Sequence, residues 1–325
     1  MTQQPHENVR KLRDHGGNLG DALGRFGGER ADWLDLSTGI NPCPYPVGPL
    51  PAASWNALPD HTQTRALIAA ARRFWRVPAG ASILPVPGAS AAIAAIPRVA
   101  APRVAGPGRI AIPGPTYNEH QASFELAGWI IDEAADCKVV VHPNNPDGRL
   151  WQASALPGSA LTVIDESFCD ICPDLSLIDR SAQKGQLILK SFGKFWGLAG
   201  LRLGFVIGDP ALTGAIEQQL GPWPVSGPAL EIGRIALSDE PWANETRARL
   251  TKDAERLDRL MTARGLRVVG GTPLFRLYEA ENAEKMRDQL ARAHVWSRIF
   301  PYSDRWIRLG LPGNAAAWAQ LEGAL

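Results

Sequence analysis

From residue 81 to residue 208 the chain alternates short apolar runs with helix-like stretches, and this rhythm constrains the fold more than any single motif does. ASILPV, RIAIPG, KVVVHP, ALTVIDE, QLILK and RLGFVIG read as strands bounded by turn residues, with SAAIAAIPRVA and NEHQASFELAG as helices among them. The pattern predicts an α/β fold with a mostly parallel sheet. From Pro241 the character changes: WANETRARLTKDAERLDRLMTAR reads as one long charged helix. Short strands LRVVGG, LFRLY and WIRLGL follow, interleaved with helices NAEKMRDQLARAH and NAAAWAQLEGAL, which predicts a smaller α+β domain. A chain of 325 residues exceeds the commonest domain size, in keeping with a large domain and a companion. The expected division is an arm over 1–35 that joins the small domain, a large domain over 36–238 and a small C-terminal domain over 239–325. The proline-rich INPCPYPVGPLP, residues 40–51, is expected to be a fixed extended segment and not a flexible linker.

Composition removes several classes of function. Lysine and arginine number 34 against 33 acidic residues, so there is no electrostatic footprint for nucleic acid or an anionic membrane. MTQQPHENVRKLRD lacks the apolar core of a signal peptide, and no run approaches the ~18 apolar residues of a membrane span, so a cytoplasmic protein with a small-molecule partner is expected. Cys43, Cys137, Cys169 and Cys172 are too scattered to staple a chain of this size. Cys169 and Cys172 form a C-x-x-C, but without a second pair, ligand-spaced histidines or a helix-opening context they read as reduced structural thiols, with no metal site.

In open α/β sheets, ligands collect beyond the carboxyl ends of the strands. Gly88, Ala89 and Ser90 follow ILPVP at the start of an alanine-rich helix, where N–H groups, a hydroxyl and a positive dipole end would suit a phosphate. Tyr117 follows RIAIPGP, Asn145 lies in NNPDG after KVVVHP, and Asp165 ends ALTVID. Ser191 and Lys194 follow QLILK, with Arg202 eight residues beyond the lysine. Singly, each has an ordinary reading as a turn former or a helix cap. Together they match an aldehyde cofactor with a phosphate and a pyridine ring. Such a group needs an amine, phosphate donors with a cation, an acid for the ring nitrogen, a donor for the phenolate and an aromatic face. Lys194 sits among glycine, aromatic and aliphatic residues in SFGKFWGLAGLRLG, where lost hydration favours the neutral, nucleophilic amine.

SFGKFWGLAGLRLG, HPNNPDGR and VIDES resemble, nearly end to end in their order along the chain, the signature blocks of the fold-type-I pyridoxal 5'-phosphate enzymes of the aminotransferase superfamily. The resemblance implies that Lys194 forms the Schiff base, Asp165 pairs with the pyridinium nitrogen, Asn145 binds the phenolate oxygen and Tyr117 stacks on the ring. Gly88, the Ala89 N–H, Ser90, Ser191 and Arg202 would hold the phosphate, and a homodimer is the family's usual state. HGGN, DLSTGINP, GPTYNEH and LGPWPVSGPAL are similar to a decarboxylating branch of cobalamin biosynthesis. That branch implies conversion of L-threonine O-3-phosphate to (R)-1-amino-2-propanol O-2-phosphate, with histidinol-phosphate aminotransferase as the alternative. By the same likeness Arg308 clamps the substrate carboxylate and Arg298 meets the substrate phosphate, assisted by His15 and Asn41. Two positions depart from the wider family: Phe168 replaces a phenolate-binding tyrosine, and Leu58 replaces a tyrosine that reaches the neighbouring subunit.

Two rivals from other classes fit less well. Ser191 to Lys194 is also an S-x-x-K of acyl-serine enzymes, but no S-D-N or K-T-G box accompanies it. Gly106 to Ala111 mimics a dinucleotide fingerprint yet precedes a strand where it should open a helix.

Overall fold

The computed structural model describes residues 15–101, 108–158 and 161–325, so the first fourteen residues of the expected arm and the first two of the Gly106 to Ala111 segment lie outside the described residues. In chain order the strands are β1 (Leu34–Asp35), β2 (Ser82–Val86), β3 (Arg109–Ile110), β4 (Ile130–Ile131), β5 (Lys138–Val141), β6 (Thr162–Asp165), β7 (Gln186–Ser191) and β8 (Gly204–Gly208). These are followed by β9 (Arg267–Thr272), β10 (Phe275–Glu279), β11 (Val295–Trp296), β12 (Arg298–Phe300) and β13 (Ser303–Gly310).

The central sheet has the order β2-β8-β7-β6-β5. β5, β6 and β7 pair in parallel, whereas β8 runs antiparallel to both its neighbours. A parallel bridge from Ala111 to Lys138 extends the sheet towards the parallel pair of β3 and β4. β3 is shorter than RIAIPG suggests, because Pro113 and Pro115 lack the N–H that a ladder needs.

Side chains of one strand alternate between two cores, as period-two geometry requires. Ile188 joins Ile164, Val140 and Phe205 on the face covered by helices His61–Phe74 and Gly227–Ala236. Leu187 and Leu189 join Val163, Val139 and Val206 on the face covered by helices Ala89–Ala100, Asn118–Leu126 and Pro210–Leu220. The sheet is thus buried between two helical layers, and its polar chemistry is confined to strand ends.

The C-terminal part contains an antiparallel sheet in the order β12-β13-β10-β9. The 24-residue helix Glu240–Ala263 packs on β9 and β10, and Asp258 on that helix accepts hydrogen bonds from Arg276 and from Tyr278 Oη at 2.8 Å. β1 pairs in parallel with β11, tying residues 34–35 to the C-terminal part. Among the described residues no helix is long and apolar enough to cross a membrane.

Candidate active site

Lys194 stands in the loop after β7, and the proline-rich segment holds that loop in place. Asn41 N donates to Lys194 O at 3.0 Å, Asn41 Nδ2 to Phe195 O at 2.9 Å and Tyr45 N to Trp196 O at 2.9 Å. Gly197 has φ +69, and a Cβ there would lie 2.7 Å from Pro44 Cα, so this contact requires glycine. The rigid segment over 40–51 therefore serves as the support of the lysine loop.

Lys194 reaches a cavity of about 130 Å³ lined by Ala89, Ser90, Tyr117, Asn145, Asp165, Phe168, Ser191 and Arg202. Burial, reinforced by Arg308 and Arg202 and only partly opposed by Asp165, lowers the lysine from its ordinary 10.5 to about 8. Its Nζ is 5.3 Å from the centre of the Phe168 ring, which packs edge-on against Phe275.

Asp165 ends β6 and is buried, being 3% exposed. Ser167 N and Oγ donate to Oδ1 at 2.9 and 2.5 Å, and His120 Nε2 lies 2.9 Å from Oδ2. Burial alone would raise this carboxyl, but the contacts to His120 and Ser167 outweigh it and hold the group below the usual carboxylate range. His120 was absent from the expected site. The only hint was its place in TYNEH, one helical turn after Tyr117 and on the same face.

Opposite this pair, Gly88 (φ +82) opens the helix Ala89–Ala100, and a Cβ on it would come within 2.6 Å of Arg202 Nη2. A Cβ on Gly204 would lie 2.5 Å from Ala89 N. Arg202, itself at φ 55, is thereby folded over a bare backbone turn of N–H groups, a cradle that side chains would fill. An amine, a carboxylate held ionised, an aromatic ring, an amide and a cationic cradle around one cavity form the donor set that pyridoxal phosphate requires, so the residues present fit that cofactor.

Arg308 comes from β13, is 6% exposed, and lines an adjoining cavity of about 200 Å³ with His15, Tyr117, Asn145 and Arg298. Its Nη2 donates to Ser37 O at 2.8 Å and its Nη1 to Asn145 Oδ1, the latter joining the arginine expected at the substrate to the amide expected at the cofactor. Among the described residues its Nε is buried without a partner. Burial first, and the neighbouring Arg298 second, lower Arg308 to about 10. His15 Nε2 lies 2.9 Å from Glu119 Oε1 on the helix that follows Tyr117.

Asn41 is placed elsewhere than expected. It lines neither cavity, is 2% exposed, and spends its amide on Phe195 O, Cys43 N and Arg249 Nη2, so its side chain supports the lysine loop where the likeness suggested substrate contact. Leu58 is 68% exposed on the surface. All four cysteines are free, and Cys169 lies at the edge of a buried ionic cluster in which Lys190 Nζ meets Glu166 at 2.7 Å and Asp170 at 3.5 Å.

The chain matches the aminotransferase class I and II family over residues 52–320. It is 39% identical to a threonine-phosphate decarboxylase from Sinorhizobium sp, across 96% of this chain and 97% of the relative. A second threonine-phosphate decarboxylase, from Pseudomonas aeruginosa, is 37% identical over 97% of each chain. The solved histidinol-phosphate aminotransferase from Sinorhizobium meliloti, in complex with pyridoxal-5'-phosphate, shares the fold with a TM-score of 0.78 at 18% identity, covering 100% of this chain and 97% of that one. With signature blocks, sheet order and cofactor cradle in agreement, the chain belongs to the aminotransferase class I and II family of pyridoxal-phosphate-dependent enzymes.

Proposed function

We propose that this enzyme decarboxylates L-threonine O-3-phosphate to (R)-1-amino-2-propanol O-2-phosphate, a step of cobalamin biosynthesis. The single observation that carries the reading is the near-full-length likeness to two threonine-phosphate decarboxylases; the cavity lined by Lys194 and Asp165 and the neighbouring one lined by Arg308 support it. An aminotransferase acting on histidinol phosphate is the weaker alternative, because identity near 39% over almost the whole chain lies with the decarboxylases.

Bound pyridoxal phosphate supplies a conjugated, electron-poor ring that accepts the electron pair released at the α-carbon. Gly88, Ala89, Ser90, Ser191 and Arg202 are assigned to its phosphate, Asn145 to its phenolate oxygen and Tyr117 to its ring face. Asp165, kept ionised by His120 and Ser167, would hold a proton on the pyridine nitrogen. Arg308 presents a guanidinium fork to the substrate carboxylate, and the unpartnered Nε supports this role, since a carboxylate would satisfy it. Arg298 and His15 face the other end of the substrate, its phosphate. Lys194, with an amine lowered to about 8, would hold the cofactor's aldehyde carbon and, once free, would carry a proton to the α-carbon. Which α-carbon bond breaks is decided by how Arg308 orients the carboxylate, because small angular changes select carbon dioxide loss over Cα–H cleavage.

The same reading takes residues 1–35 as an arm joined to the small domain, 36–238 as the large domain and 239–325 as the small one; the β1 to β11 pairing supports the arm's attachment. It takes the enzyme as a cytoplasmic homodimer. Exposed Trp55, Leu58 and Trp223, the last lining a cavity of about 590 Å³, support a second copy covering that face.

The test is a pair of assays on the holoenzyme: carbon dioxide from threonine phosphate, and glutamate from histidinol phosphate with 2-oxoglutarate. Carbon dioxide without glutamate is the expected outcome, and glutamate without carbon dioxide would refute the decarboxylase reading.

A further inference from the structure

Residues 35–38, DLST, join parts of the molecule that the chain brings together from far apart. Asp35 pairs with Trp296 at the end of β1, two residues before Arg298. Its Oδ1 accepts from Ser37 N at 2.9 Å and from Ser37 Oγ at 2.6 Å, which fixes the serine rotamer. Ser37 is 1% exposed and is used twice more. Its Oγ accepts from the Gly17 N–H at 2.8 Å, and its carbonyl oxygen accepts from Arg308 Nη2 at 2.8 Å. A Cβ on Gly16 would lie 2.4 Å from that same carbonyl oxygen, so the described part of the arm, from His15, lies flush on it. Gly310 N donates to Leu36 O at 2.7 Å, locking the segment to the end of β13, the strand that carries Arg308.

The arm seated in this way is a partition. His15 and Gly16 border the 200 Å³ cavity that contains Arg308 and also a larger cavity of about 420 Å³ on the far side, and Arg298 borders both. An arm that lifted would merge the two spaces, admit water to the substrate end and carry His15 away from Glu119 and Tyr117.

We propose that Ser37 is a positioning residue for substrate recognition: its hydroxyl seats the arm and its carbonyl aims Arg308, so both ends of the substrate are gripped from one support. This rests on the reading of the substrate as a phosphorylated amino acid. The two functions are chemically separable. A hydroxyl that donates to Asp35 retains lone pairs for Gly17, and alanine removes that acceptor while leaving the carbonyl in place for Arg308.

The experiment compares full-length wild type, Ser37→Ala, Ser37→Thr and Gly16→Ala by two readouts. The first is amide hydrogen exchange over residues 15–26, which needs neither cofactor nor turnover. The second is the ratio of kcat/KM for threonine phosphate to that for unphosphorylated threonine, followed by carbon dioxide release from the holoenzyme. In Ser37→Ala the exchange at Gly17 accelerates and the preference for the phosphorylated substrate falls about tenfold, chiefly through KM, as loss of one buried hydrogen bond implies. Ser37→Thr keeps the hydroxyl and retains both properties, whereas Gly16→Ala reproduces the loss by displacing the arm from the other side. Unchanged exchange or unchanged preference in both Ser37→Ala and Gly16→Ala overturns the proposal; should Ser37→Ala fail to fold, Gly16→Ala alone decides. Wild type that releases no carbon dioxide from threonine phosphate sinks the functional reading instead, and the exchange measurement still judges the seat of the arm.

Discussion

Replacing Lys194 with methionine should make the cofactor-free protein more stable. The amine is lowered from 10.5 to about 8, chiefly by burial and then by Arg308 and Arg202, with Asp165 opposing them in part. A depressed lysine destabilises the fold while it is charged. Below pH 8 both folded and unfolded chains hold the proton and the penalty is present in full; between pH 8 and 10.5 the unfolded chain binds more protons, so stability rises with pH. The full difference corresponds to about 3 kcal/mol, and water reaching the partly open cavity screens it, so we expect about 2 kcal/mol at neutral pH. Methionine has similar length and no charge. Urea unfolding of the apoprotein, followed by the fluorescence of its 11 tryptophans, measures the effect at pH 7 and 9.5. Lys194→Met should exceed wild type by about 2 kcal/mol at pH 7 and by under ~1 kcal/mol at pH 9.5. Equal or lower stability of the variant at pH 7, or a gap that does not narrow with pH, would refute the reasoning. Such a result would mean that the site tolerates its own charge.

Lys190, four residues earlier, should respond in the opposite sense. Burial opposes its charge, but Glu166 and Asp170 outweigh burial and raise it above its ordinary value, so Lys190→Met leaves two buried carboxylates uncompensated and costs about 3–5 kcal/mol in the same unfolding assay. His120→Ala removes the 2.9 Å contact to Asp165, and loss of a charge-assisted bond worth ~1.5–3 kcal/mol should lower kcat roughly 10- to 100-fold and displace the pH titration of the cofactor's absorbance. Gly204→Ala drives a Cβ to 2.5 Å from Ala89 N, and the resulting separation of β8 from the phosphate cradle, about 1–3 kcal/mol of overpacking, should weaken pyridoxal phosphate binding measured by fluorescence titration. Asn41→Ala strands the Phe195 carbonyl and should lower the Tm and kcat together, while the preference for phosphorylated over unphosphorylated threonine stays as in wild type.

Local sequence determined the strands and the residues at their ends. QLILK, ALTVID and KVVVHP are apolar runs that a buried sheet selects, and Lys194, Asp165 and Asn145 at or beyond their carboxyl ends are legible from sequence as ligand-facing residues. The helix Pro210–Leu220 carries weak amphipathic periodicity of its own and is helical where it covers a sheet face, whereas His61–Phe74, capped by Asp60, and Gly227–Ala236, capped by Ser226, carry start signals and apolar faces that local sequence does contain. β12 escaped notice because three residues show no alternation.

Tertiary structure alone decided who supports whom. His120 meets Asp165 across 45 positions, Asn41 meets Phe195 across 154, and Ser37 meets Arg308 across 271. Periodicity reports which face of an element is buried, since that depends on neighbours three or four residues away. It carries no record of which polar group satisfies another once distant segments close, and in this enzyme those long-range satisfactions hold Asp165 ionised, bolt down the lysine loop and aim the arginine.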